Sequence, residues 1–250
     1  MPLIKMKDVL DYCMYNKPFF LLILFLFCIL DYVANMGEST NLIIIFFSLL
    51  CNVIIDGYGM TIARDRMNNG VRLPKILIND VFVLGIKSII ISFIYFGIQG
   101  GILYCIGYQF NLFEFDLESM LMELPYTYLL FLHNPVNTLI FIVVSAVVFY
   151  ITIFFIEIAL ARLADTGSIV SAFNLIGIKK DIDTIGWRHY AKEYTLMIFV
   201  IVIFLSATRL VIPNGILNYI WNGLLYLLAF VTQFLGIGKI YSEVKENESV

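Results

Sequence analysis

Six long apolar runs, each bounded by charge, proline or glycine, alternate with short polar segments: Phe19 to Ala34, Leu42 to Ile62, Val81 to Gly107, Val136 to Ala161, Tyr190 to Val211 and Ile216 to Tyr241. A helix that crosses the roughly 30 Å hydrocarbon layer needs about 20 largely apolar residues, so each run predicts one transmembrane helix. The alternating pattern of a membrane barrel is absent. No polar stretch is long enough for a second domain. The sequence therefore reads as all-α: a polytopic bundle of six transmembrane helices in a single integral membrane domain, residues 1–250.

The connections have patterns of their own. Residues 1–17 form an arm in which Leu3, Met6, Val9 and Leu10 fall at helical spacing, which predicts an amphipathic helix along the membrane surface. Asn68-Asn69-Gly70 predicts a turn, after which Leu73, Pro74, Ile76 and Leu77 offer a short apolar face and Pro74 is placed to start a short helix. Between the fourth and fifth runs Ser168 is placed to cap a helix with Ile169, Ala172, Phe173 and Ile176 on one face. Asp56 and Glu157 hold matching places in a twice-repeated plan of span, Arg-bearing turn, amphipathic element and span, the two copies running in parallel. Residues 108–134 carry no Lys or Arg, and there Asp116 is placed to cap a helix that Pro125 ends. A lid or cation site built from Glu114, Asp116, Glu118 and Glu123 is the sharper reading of that segment, although their spacing matches no calcium loop. Residues 242–250 read as a polar tail.

Composition fixes the solvent. The 250 residues are 61% hydrophobic, 16% aromatic and only 14% charged, with mean hydropathy +0.91, which excludes both a soluble domain and a disordered chain. A net charge of −3 supplies no basic surplus for nucleic acid. Among the 16 cations, all but Arg209 fall in the arm, the segments after the second and fourth runs, or the tail, with Lys87 just inside the third run. Short Lys/Arg-rich loops resist translocation, so both termini are expected in the cytoplasm of a cell membrane and residues 108–134 outside. The first run lacks a small-x-small cleavage site and reads as a retained anchor. Cys13, Cys28, Cys51 and Cys105 show no metal-ligand or disulfide spacing.

An ionisable side chain costs about 2.5–3.5 kcal/mol at mid-membrane, so each calls for a partner or a task. Asp56, Lys87 and Glu157 share a depth of roughly 8–9 Å below one surface, at 1.5 Å per residue. The expectation is that Lys87 pairs with Asp56 or Glu157; the alternatives are that the three lock helix register or that Lys87 snorkels to headgroups. Arg209 is placed at the level of Asp31. Gly97 and Gly101 form G-x-x-x-G, a spacing that lets helices approach closely. Trp187, Tyr190, Tyr194, Tyr219 and Trp221 suit interfacial belts. Nucleotide-binding loops, H-E-x-x-H and G-x-S-x-G are missing. His133 and His189 are placed on opposite sides of the membrane. No catalysis, metal or cofactor is expected.

Gly57-Tyr58, Ile62, Gly70, Leu73-Pro74, Gly85, Lys87 and Ile94-Tyr95 resemble the G-Y, G-x-x-L-P, G-x-K and I-Y signature of an uncharacterised family of archaeal, often methanogen, membrane proteins. That family is domain of unknown function four-thousand-and-thirteen. Ala161-Arg162-Leu163-Ala164-Asp165, Gly167, Ala172-Phe173, Ile185-Gly186-Trp187 and Tyr190 are similar to its second cytoplasmic crossing. The resemblance runs from about Asp56 to Tyr190. It implies an integral protein of an archaeal cell membrane, brings no catalytic residue, and points to the inner turns as the distinguishing surface. Folding roles suit its glycines, with Gly70 permitting a turn and Gly57 and Gly85 allowing close helix approach.

Two functions fit. One is a non-enzymatic structural, scaffold or accessory component whose partners are the bilayer and either a second copy or another membrane protein. The other is a small-molecule or lipid permease using Asp56, Lys87 and Glu157, and it requires those groups to line a solvated cavity.

Overall fold

The computed structural model describes residues 6–34, 42–110, 135–210 and 215–248. Among them every regular element is helical: α1 (Met6–Met14), α2 (Lys17–Ala34), α3 (Leu42–Met67), α4 (Ile78–Gln109), α5 (Pro135–Thr166), α6 (Ile169–Ala172), α7 (Leu175–Ile185), α8 (Trp187–Ala207) and α9 (Gly215–Glu248). Helices α3, α4, α5, α8 and α9 are each long and apolar enough to cross a membrane. A sixth such span appears if α1 and α2, which meet at 104°, are joined. Every apolar run of the sequence corresponds to a helix. The predicted helix around Asp116 falls outside the described residues.

The chain packs as two compact units. In the first, the described residues of Met1–Ile91 and Glu157–Val250, α9 is the central element, packed against α2, α3 and α8. Of its most apolar stretch 78% is buried by protein. Glycines let its neighbours come close. A Cβ at Gly223 would lie 2.6 Å from Cys28 Sγ in α2, and one at Gly238 would lie 2.6 Å from the Ala63 carbonyl oxygen in α3. Aromatic rings fill the α2–α9 seam, with Phe27 against Tyr226 and Phe230. Asn222 Nδ2 donates to the buried Asp31 at 3.1 Å in the same seam. The second unit, Ser92–Ile156, holds the distal part of α4 and the beginning of α5, with Phe96 stacked on Phe149.

Two local expectations, at Pro74 and at Ser168, are corrected. Pro74 starts no helix: residues 71–77 are irregular and α4 begins at Ile78, with Asp80 in its first turn. The turn at Asn68-Asn69-Gly70 forms as expected, with Asn69 at a positive φ of 61°. Gly70 is needed because a Cβ would collide with the Asp65 carboxylate, which its own N–H approaches by bonding the Asp65 carbonyl at 2.8 Å. Ser168 makes no side-chain cap, and the face it was to start is broken at Phe173–Asn174, leaving Ala172 buried but Ile176 84% exposed. Asn174 is the working cap, accepting from Gly177 N at 3.0 Å at the start of α7. Helix α9 continues through most of the polar tail, to Glu248.

Candidate functional site

The ends of α3, α5 and α9, with α1, α6 and α7, meet at one end of the first unit, joined by a set of charged side chains. A helix leaves its last carbonyls without intrahelical partners, and α5 ends where two cations reach them. Gly167, at φ 70°, closes the helix by donating to the Leu163 carbonyl at 2.8 Å. Arg64 Nε, from α3, donates to the Ala164 carbonyl at 2.5 Å. Lys87 Nζ, from α4, donates to the Gly167 carbonyl at 2.6 Å. Positive charge at a helix C-terminus also complements its dipole.

A second group hangs on Arg162. Its Nη1 meets Asp181 Oδ2 at 2.5 Å and its Nε donates to the Ser171 carbonyl at 3.0 Å, tying α5 to α6 and α7. Gly177 makes room for it, since a Cβ there would lie 2.6 Å from Arg162 Nη2. Tyr241 of α9 donates to the same Asp181 oxygen at 3.2 Å. Two further links reach α9: Lys245 Nζ bonds Asp165 at 2.6 Å, and His189 Nε2 lies 3.3 Å from Glu243 Oε1. On the other flank Tyr12 of α1 donates to Asp65 at 2.8 Å, and Tyr58 of α3 to the Pro74 carbonyl at 2.9 Å. Burial first, and the Asp65 charge second, push the Tyr12 hydroxyl well above the usual tyrosine range, so it stays a donor.

The three ionisable residues singled out in the sequence do not form a cluster. Among the described residues Lys87 binds a backbone carbonyl and makes no ion pair with Asp56 or Glu157. Glu157 is 2% exposed. Its Oε1 accepts from Gln233 Nε2 of α9 at 2.8 Å, whereas its Oε2 is buried without a partner among the described residues. The space beside it, walled by Tyr190, Tyr194, Met197 and Ile240, has no room for a water molecule. Asp56 sits half-buried one residue before the closest crossing of α3 and α4. At that crossing Gly57 and Gly85 lie against the carbonyls of Val81 and Val53 respectively, so a side chain at either would strike backbone. Gly97 and Gly101 differ: in the second unit nothing among the described residues lies within 4 Å of a Cβ placed on them, and the expected close approach is not seen there.

Arg162, Asp181, Arg64, Lys245 and Tyr12 were not recognised from the sequence as site residues; the three cations served to orient the chain, and Arg162 also stood in the family resemblance. The usable signal was the pair Ala63-Arg64 and Ala161-Arg162, an arginine in the last turns of a span both times. Near a helix end, that position meets carbonyls as well as headgroups. Among the described residues no group of three His, Cys, Asp or Glu side chains could hold a metal ion.

Neither a curated protein nor a solved structure matches the chain. A family does: residues 41–213 match DUF4013, described as a protein of unknown function. The match extends beyond both ends of the segment that carried the resemblance and covers Gly57, Tyr58, Gly85, Lys87, Arg162 and Gly167, which make the contacts just described. In this chain these six residues hold helix ends and helix crossings together, and the chain is a member of the DUF4013 family.

Proposed function

We propose that the protein is a non-enzymatic structural or accessory component of an archaeal cell membrane. In this reading it crosses the bilayer six times with both termini in the cytoplasm, and its charged end is a rigid inner face for another membrane protein or a second copy. The observation that carries the reading is how the cations are used. Arg64 and Lys87 hold the backbone end of α5, and Arg162 holds α6 and α7. A permease working through Asp56, Lys87 and Glu157 needs water at those groups, and the packing around Glu157 is dry. Exposed apolar residues at the same end, Val170 at 79% and Ile78 at 77%, suit contact with lipid or a partner.

A double-mutant cycle tests the reading. Lys87→Met and Glu157→Gln are expected to lower stability in detergent additively, to within about 0.5 kcal/mol, as for independent sites. A coupling above about 1 kcal/mol would restore a shared polar site and contradict the structural role. Orientation is checked separately: an impermeant thiol reagent added to cells should label a cysteine at Glu118 and miss one at Asn69.

A further inference from the structure

A cleft of about 280 Å³ opens between the last turns of α3 and the segment leading into α4, lined by Arg64, Asp65, Asn68, Lys75, Leu77 and Asp80 among others. It lies beside the polar contacts described above and shares Arg64 and Asp65 with them, whereas Lys75 and Asp80 take no part in those contacts. Two of its charges are anchored in the wall. Arg64 is held through Nε on the Ala164 carbonyl, leaving its two terminal NH2 groups available, and Asp65 is held through Oδ2 by Tyr12, leaving Oδ1. The other two stand at the mouth. Among the described residues neither Lys75 nor Asp80 has a hydrogen bond or ion pair. The cleft thus offers one anchored and one exposed group of each sign.

That arrangement selects a ligand. A bare anion would meet Arg64 and Lys75 but also the two carboxylates, and a bare cation the reverse. A zwitterion satisfies all four, with its anion bonded by the guanidinium and ammonium and its cation by the carboxylates. The volume is near the lower end for small-molecule sites, about 300 Å³, which suits a headgroup rather than a larger metabolite. The position adds a tail. The cleft sits at the end of the candidate span Ile44–Met67. Leu77 lines it, and Ile78 and Val71 stand exposed beside it, so apolar chains can leave the cleft along apolar side chains.

We propose that this cleft binds the headgroup of a phosphoethanolamine lipid, with phosphate on Arg64 and Lys75 and the primary ammonium on Asp65 and Asp80. A primary ammonium carries three N–H donors for carboxylates, whereas a quaternary choline has none. The site goes beyond the structural role proposed above and is independent of which end of the bundle faces the cytoplasm.

The test uses the full chain in detergent, stripped of lipid, with binding followed by native mass spectrometry. Four probes are compared: dihexanoyl phosphatidylethanolamine, the matching phosphatidylcholine and phosphatidylglycerol, and water-soluble glycerophosphoethanolamine. The ethanolamine lipid is expected to bind about 10-fold tighter than each of the other three, the effect of one charge-assisted hydrogen bond or more. Lys75→Gln and Asp80→Asn, both at exposed positions, are each expected to weaken it about 10-fold without changing the melting temperature of the ligand-free protein. Equal binding of the three lipids, or variants that bind as the parent does, overturns the proposal. Equal binding of glycerophosphoethanolamine overturns the lipid source and assigns the cleft to a soluble zwitterion.

Discussion

The two units solve the same problem, an apolar chain in an apolar solvent, in different ways. In the first, helices are joined by named polar bonds and by glycines seated against backbone: Arg162 to Asp181, Arg64 and Lys87 to the end of α5, Gly57 and Gly85 at the α3–α4 crossing. In the second, Phe93, Ile98, Ile102, Val143 and Val147 are exposed, and Gly97 and Gly101 face open space among the described residues. Lipid is as apolar as leucine, so burying a leucine between helices gains little in a membrane, and specificity must come from close packing and hydrogen bonds. The comparison teaches that the first unit is specified by side-chain chemistry. The second, over its described residues, is specified mainly by being apolar and helical.

The comparison is broken most severely at Arg162. Arg162→Ala leaves the buried Asp181 with Tyr241 alone and is expected to cost about 3–5 kcal/mol, as for removal of one partner of a buried pair, measured by unfolding in mixed micelles. Lys245→Met, which breaks a partly exposed pair, is expected to cost about 1 kcal/mol or less. Next come the glycines. Gly57→Ala drives a methyl group into the Val81 carbonyl and is expected to cost about 1–3 kcal/mol. Gly101→Ala in the second unit is expected to cost nothing and to gain up to about 1 kcal/mol of helix propensity. Equal losses at the two positions would erase the distinction between the units.

The smallest effect concerns thiols. Burial pushes the Cys13 thiol of the first unit up to about 12 from its ordinary 9.0, whereas Cys105 of the second unit is exposed. The folded protein keeps at Cys13 a proton that the unfolded chain releases. Its contribution to stability is therefore complete below about pH 9 and is lost as the pH rises from there toward 12. At pH 8 in detergent, N-ethylmaleimide should modify Cys105 well before Cys13. Reaction of both at one rate would mean that the α1 arm does not stay packed.

Hydropathy located every long apolar helix, because a run of 20 apolar residues has one meaning in a membrane. It could not tell a helix surrounded by lipid from one surrounded by protein. Helix α9, largely buried by protein, and α5, mostly exposed over the same kind of stretch, read alike. The polar contacts were hidden for a related reason. An arginine near a span end is placed by hydropathy at the headgroups, yet the carbonyls of a neighbouring helix end lie at the same depth, and only the fold brings Ala164 to Arg64 across 100 residues of chain. Matching depth suggested that Lys87 would meet Asp56 or Glu157. In the structure Lys87 finds the C-terminus of α5 and Glu157 turns to α9. Turn chemistry was legible to within a residue, as Asn69 and Gly70 show, but Asn174 as the cap of α7 depended on where the chain breaks.

The central claim is that Glu157 sits in dry packing, the space beside it having no room for a water molecule among the described residues. The most direct measurement is the reactivity of a cysteine at position 157 toward a small charged thiol reagent, in a background where the native cysteines are alanine. A cysteine at position 75 serves as the exposed reference. Glu157→Cys is expected to stay unmodified in the folded protein while Lys75→Cys reacts fully. Comparable reaction at both would place water beside Glu157 and contradict the account.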